Sequence, residues 1–238
     1  MFELVLAVSA ICLFRYLIEQ SHYNRFFTLV TGVIGVPVHE IGHYLMAKLV
    51  GFKVIKVKLF RMPTHDNPVL GYVEYQYPLT ISGSIRKVVV SIGPIFTGVV
   101  TLYWFGEKVT PYLITPASNS LDIAKFVAHA GIEQWIYLWA LSSITLHMLP
   151  SSTDIKIAIS GSIWVGIATY AGLVFAATHT LYLVQQIENV LALLSKLLLV
   201  GVILSAPLTF LAIIPNIFSI IKSSVYIRYK ETQKRTRS

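Results

Sequence analysis

Apolar residues fall along this chain in long blocks, without the narrow stripe of an amphipathic soluble helix. Six blocks approach the roughly 20 apolar residues that a helix needs to cross roughly 30 Å of hydrocarbon: residues 2–17, 26–46, 88–105, 123–149, 157–184 and 190–221. Arg15 interrupts the first near its end, and Lys196, Pro207 and Pro215 interrupt the last, where a kink or an interfacial start is expected. The first block has no basic residues ahead of it, unlike a secretory signal, and reads as a retained span. Between the second and third blocks the pattern changes. Residues 53–59 and 69–77 are rich in β-branched and aromatic side chains in partial alternation, separated by the turn-prone stretch 62–68. The expectation is an all-α integral membrane bundle of six spans over residues 1–221, carrying a small cytoplasmic or interfacial β-hairpin or sheet at about 53–77. A basic tail, 222–238, follows.

Composition agrees with this pattern: 55% of the 238 residues are hydrophobic, 13% are charged, and the mean hydropathy is +0.68. The net charge of +8 is distributed as a topology signal. Lys48, Lys53, Lys56, Lys58, Arg61, Arg86, Lys87, Lys156 and six residues of the tail fall on one side of the predicted spans, leaving Arg15, Arg25, Lys108, Lys125 and Lys196 for the other. By the positive-inside rule both termini are expected in the cytoplasm. Nothing in the chain resembles a nucleic-acid-binding module, so the lipid bilayer is the environment that explains the charge. Cys12 is the single cysteine, which excludes an intrachain disulfide and a cysteine-rich zinc module.

The second block contains His39-Glu40-Ile41-Gly42-His43. Histidines four apart share one helix face and can reach a single Zn2+, with Glu40 beside the metal. A charged side chain near the middle of a membrane helix costs roughly 2.5–3.5 kcal/mol, so three ionisable groups within five residues require a function.

Catalytic zinc takes three protein ligands and leaves one position for water. At 1.5 Å per residue, His43 and His39 lie roughly 7 and 13 Å from Lys48 at the cytoplasmic end of their span. The third ligand is therefore expected from the cytoplasmic end of another span. His129 and His179 are too far along their spans, and His22 and His65 lie in loops. The segment His147-Met148-Leu149-Pro150-Ser151-Ser152-Thr153-Asp154 has the right depth, and Pro150 breaks the helix where a wet cleft can form. Asp154 is the preferred third ligand and His147 the alternative, with a helix cap as the competing role of Asp154.

These residues resemble the site-2 protease family of intramembrane zinc metalloproteases. The likeness rests on the first motif, on a second whose usual form is Asn-x-x-Pro, four residues, then Asp-Gly, and on Ser91-Ile92-Gly93-Pro94-Ile95-Phe96-Thr97-Gly98, similar to the family's Gly-Pro-x-x-Asn. Here His147 and Thr97 replace asparagines, Asp154 comes one residue early, and Ile155 replaces the glycine. The resemblance implies one Zn2+ per chain, hydrolysis of a peptide bond in a transmembrane protein substrate, and regulated proteolysis. Within it, Pro150 and Thr97 are candidate substrate-binding residues and His147 a substrate-positioning one. Glu40 is the expected general base, and strand addition to the 53–77 sheet would hold an unwound substrate. The rivals are a membrane metal transporter, which needs further ligands along a pathway, a di-iron membrane oxidase, which needs more histidines, and a catalytically inactive binding protein.

Overall fold

The computed structural model describes residues 2–235 apart from 22, 65, 66, 68, 116–119, 122 and 176–179. The chain is mostly helical. Helices α1 (Phe2–Glu19) and α2 (Asn24–Leu49) lead into strands β1 (Lys53–Lys58) and β2 (Tyr72–Gln76). Helices α3 (Ile81–Ser91) and α4 (Gly93–Phe105) follow, then a 3-10 turn (Gly106–Lys108) and the short elements α5 (Thr110–Leu113), β3 (Ile114–Thr115), β4 (Ser120–Leu121) and α6 (Ile123–His129). The last three helices are α7 (Ile132–His147), α8 (Ser152–Phe175) and α9 (Thr180–Arg235). Helix α2 is central, packed on α7, α4 and α3, while α9 covers α1 and α7, and α8 covers α3. The largest buried cluster joins Ala7 and Ile11 of α1, Leu102 of α4, Leu138 and Leu141 of α7, and Leu198 and Leu204 of α9.

The end of α2 is set locally. Gly51 adopts φ +76, and Phe52 N donates to Ala47 O at 2.8 Å, which closes the helix and turns the chain into β1. Strand β1 pairs antiparallel with β2, with an irregularity between Val54 and Lys56. The sheet is anchored by Phe52 and Val54 against Ala47 and Val90. One crossing fixes the centre. A Cβ on Gly42 would lie 2.6 Å from the Gly93 carbonyl, and one on Gly93 would lie 2.5 Å from Gly42 O. The two backbones therefore touch beside the histidines, a close approach that small residues permit.

Several expected boundaries differ. The third block begins at Ile81 and breaks at Ile92, with Pro94 in the first turn of α4, where its missing N–H costs nothing. The fourth block is interrupted between His129 and Ile132, where Gln134 Oε1 accepts from Gly131 N at 3.0 Å and starts α7 anew. The fifth starts at Ser152, and residues 176–179 of its expected range lie outside the described residues. The sixth runs unbroken through Pro207 and Pro215 and extends through the expected tail to Arg235. Among the described residues, two helical stretches are long and apolar enough to cross a membrane, Ile81–Lys108 and Gln185–Ile217. By contrast, α1 carries Glu3, Arg15 and Glu19, α7 has only 16 residues, and the polar groups of its central motif lower the hydropathy of α2.

Candidate metal centre

His39 and His43 share one face of α2, with their Nε2 atoms 3.1 Å apart. Asp154 enters from the first turn of α8. Its Oδ1 lies 3.2 Å from His43 Nε2 and its Oδ2 3.5 Å from His39 Nε2. The group is largely buried, with side-chain exposures of 12%, 9% and 12% for His39, His43 and Asp154.

The outer nitrogens decide what this cluster can hold. His39 Nδ1 is 2.7 Å from the main-chain oxygen of His147, and His43 Nδ1 is 2.9 Å from that of Val90. A carbonyl oxygen only accepts, so both Nδ1 atoms carry protons and donate. In the neutral rings both Nε2 atoms then present lone pairs to each other and to a carboxylate. Two nitrogens and two oxygens, all acceptors, converge on one space, an arrangement that a cation relieves. A tetrahedral ion with bonds of about 2.0–2.1 Å holds its ligand atoms about 3.3 Å apart. The separations of 3.1, 3.2 and 3.5 Å bracket that value. Two imidazoles and one carboxylate, each imidazole fixed by a carbonyl on its other nitrogen, fit a zinc-like cation with a position left for water.

Asp154 is also part of a capping box. Ser151 Oγ accepts from Asp154 N at 3.2 Å, while Asp154 Oδ2 accepts from Ser151 N at 2.8 Å and from Ser151 Oγ at 2.6 Å. Capping and convergence on the histidines are thus simultaneous: the box holds Oδ2, and Oδ1 faces His43.

Glu40 is buried at 7% exposure on the wall of two cavities that meet at His39, Gly71 and Ser151. One, of about 290 Å³, runs towards Arg15, Glu19, Thr31 and His147. The other, of about 350 Å³, runs past His43 and Asp154 along Tyr72, Val73 and Tyr75 to Thr153. Gly71 lets the chain entering β2 cross Glu40 closely, since a Cβ there would meet Glu40 Cγ at 2.8 Å. Outside the helices, Tyr75 is held by stacking on Phe52, at 5.5 Å and 13°. Burial, with a smaller push from the Asp154 carboxylate, raises its phenol to about 12.

The other expected site residues are placed differently. The Thr31 hydroxyl gives its proton to Phe27 O at 2.8 Å, so His147 Nε2, 3.0 Å away, donates to Thr31. His147 therefore touches His39 through its carbonyl, while its ring is engaged elsewhere. Thr97 donates to Val38 O at 3.0 Å and lies near Gly93 O and Pro94 O, tying α4 to α2. Pro150 sits half-buried in the link between α7 and α8. His129 is exposed and bonded within its own helix to Lys125 O, and His22, His65 and His179 lie outside the described residues. Sequence reasoning missed Ser151, Gly71, Tyr75 and the Val90 carbonyl. Only Ser151 carried a signal, the Ser-x-x-Asp spacing of a capping box.

No protein-family model, curated protein or solved structure matches this chain.

Proposed function

We propose that this chain is an intramembrane zinc metalloprotease of the site-2 protease kind, which hydrolyses a peptide bond in or near a transmembrane segment of a membrane protein. The observation that carries this reading is the convergence of His39 Nε2, His43 Nε2 and the Asp154 carboxylate beside a buried Glu40. When bound, zinc supplies a Lewis acid that polarises a carbonyl oxygen and acidifies a water. Glu40 acts as general base, taking the proton of the attacking water and returning it to the leaving nitrogen. The carbonyls of His147 and Val90 keep both imidazoles in the tautomer that leaves Nε2 free.

Water reaches Glu40 beside Ser151, where the first of the two cavities opens onto the site. The substrate lies in the other cavity, where β2 has β1 on one edge and, among the described residues, no strand on the other. An extended substrate pairing with that edge regains the hydrogen bonds lost when its helix unwinds. Proline substitutions along the edge are expected to reduce cleavage at unchanged zinc content, and unimpaired cleavage argues against the pairing. The bundle crosses the bilayer six times with both termini cytoplasmic, which sets the metal group towards the cytoplasmic face. A transporter would need further ligand groups along its path; among the described residues one group brings three such donors together.

The test compares zinc content and cleavage of single-span substrates by the wild-type chain and by Glu40→Gln. Glu40→Gln is expected to retain one zinc per chain and to lose cleavage by about 10²–10⁴-fold. Undiminished cleavage, or metal flux in place of cleavage, sinks the reading.

A further inference from the structure

Two tyrosines of β2 line the cavity that contains His39, Glu40, His43 and Asp154. They are not equivalent. Lys56 and Arg61 lie over the Tyr72 ring at 5.4 and 5.6 Å, so two cations flank it. The Tyr75 hydroxyl has no hydrogen-bond partner among the described residues. Its ring is nevertheless fixed. Phe52, only 4% exposed, stacks on it, and Tyr77 packs at 6.2 Å. On Phe52 lies the Arg86 guanidinium at 5.4 Å, itself donating to Val50 O at 3.2 Å. A packed ring that lines this cavity thus carries a hydroxyl with no hydrogen-bond partner among the described residues. A phenol, with an ordinary pKa of about 10, keeps that proton at physiological pH.

The other hydroxyls and rings near the site are committed or loosely placed. Thr97 is spent on the carbonyl of Val38, His147 on Thr31, and the Ser151 hydroxyl on Asp154. Thr153 is exposed on the first turn of α8. Glu40 provides the base, and of the two tyrosines on this wall Tyr75 is the one whose ring is held by stacking on a buried aromatic.

We propose that the Tyr75 hydroxyl donates a hydrogen bond to the oxygen of the scissile carbonyl as negative charge develops on it, an assignment that rests on the protease reading. In that step the water oxygen bonds to the carbonyl carbon, the C=O π electrons move onto the carbonyl oxygen, and the water's proton passes to Glu40. Collapse restores the C=O bond, breaks the C–N bond, and sends the proton from Glu40 to the leaving nitrogen. Tyr75 keeps its own proton throughout. Its hydrogen bond strengthens as charge builds, so it favours the transition state over the bound substrate.

The test uses the full-length zinc-loaded chain and a single-span substrate that it cleaves. Tyr75→Phe keeps the ring stacked on Phe52 and removes only the hydroxyl. Its kcat is expected to fall about 10²–10³-fold, with KM changed less than about twofold and one zinc still bound. Independently of turnover, affinity for a peptide phosphonamidate built on the substrate sequence should fall by a similar factor. Affinity for the uncleaved substrate, measured in a Glu40→Gln background, should be unchanged by adding Tyr75→Phe. Difluorotyrosine at position 75 keeps ring and donor but is more acidic, and should add an alkaline fall in kcat that the wild type lacks. Unchanged kcat and phosphonamidate affinity in Tyr75→Phe overturn the proposal. Equal losses of substrate and phosphonamidate affinity also overturn it, since they make Tyr75 a packing residue. A zinc-loaded wild type that cleaves no substrate removes the protease reading, and this proposal with it.

Discussion

His39 and His43 reach the candidate metal group from the interior of α2, whereas Asp154 reaches it from the first turn of α8, just after the chain has left α7 through Met148–Ser151. On α2 the mutual position of the two ligands follows from helical geometry alone, because residues four apart stack on one face. On α8 nothing local aims Asp154 at α2. Its carboxylate is positioned by the Ser151 capping box, and the box is brought to α2 by the packing of α7 on that helix. The same short link supplies a second service, since the His147 carbonyl orients His39 while the His147 ring turns to Thr31. A helix can thus present a ligand pair without help, but completing and orienting the set takes main-chain atoms and a carboxylate from elsewhere.

This contrast can be broken most strongly at Asp154. Asp154→Ala leaves both histidines in place, yet zinc affinity is expected to fall by more than the roughly 10–100-fold typical of an outer-shell change. Titration against a chelator measures it, and full zinc retention would mean that the helix pair suffices. Ser151→Ala tests whether the cap positions the ligand. Losing the Oγ contacts to Asp154 should cost about 10–100-fold in zinc affinity and about 1 kcal/mol of stability. A stability loss with zinc affinity intact would make the box purely structural. The smallest effect is expected at His147, where His147→Gln keeps the carbonyl that touches His39. Zinc affinity should change less than about threefold, below the usual outer-shell loss. A loss as large as that of Asp154→Ala would make the ring a ligand after all.

Much of the site was legible because it is written in short spacings. The histidine pair and the Ser151-x-x-Asp154 box are local patterns, and the hairpin of β1 and β2 follows from two β-prone runs around a turn. The boundaries were less legible where packing opposed local preference. Pro207 and Pro215 argue for a break, but α9 stays continuous while it lies along α1 and α7. Conversely, an apolar run from 123 to 149 gave no warning of the interruption between His129 and Ile132, because hydrophobicity does not report where a helix restarts. Main-chain partners were invisible altogether, since every residue carries the carbonyl that Val90 and His147 lend to the histidines.

By itself the sequence determined that two imidazoles face one way from an apolar helix, that Glu40 stands next to them, and that a carboxylate with the right cap spacing follows a proline. Only the tertiary structure decided that this carboxylate meets those imidazoles, that carbonyls from α3 and from the end of α7 fix their tautomers, and that Tyr75, stacked on Phe52, lines the cavity beside them. The reason is physical: spacing along a helix fixes angles and rises within one element, while distances between elements depend on how closely backbones can approach, as Gly42 and Gly93 do here.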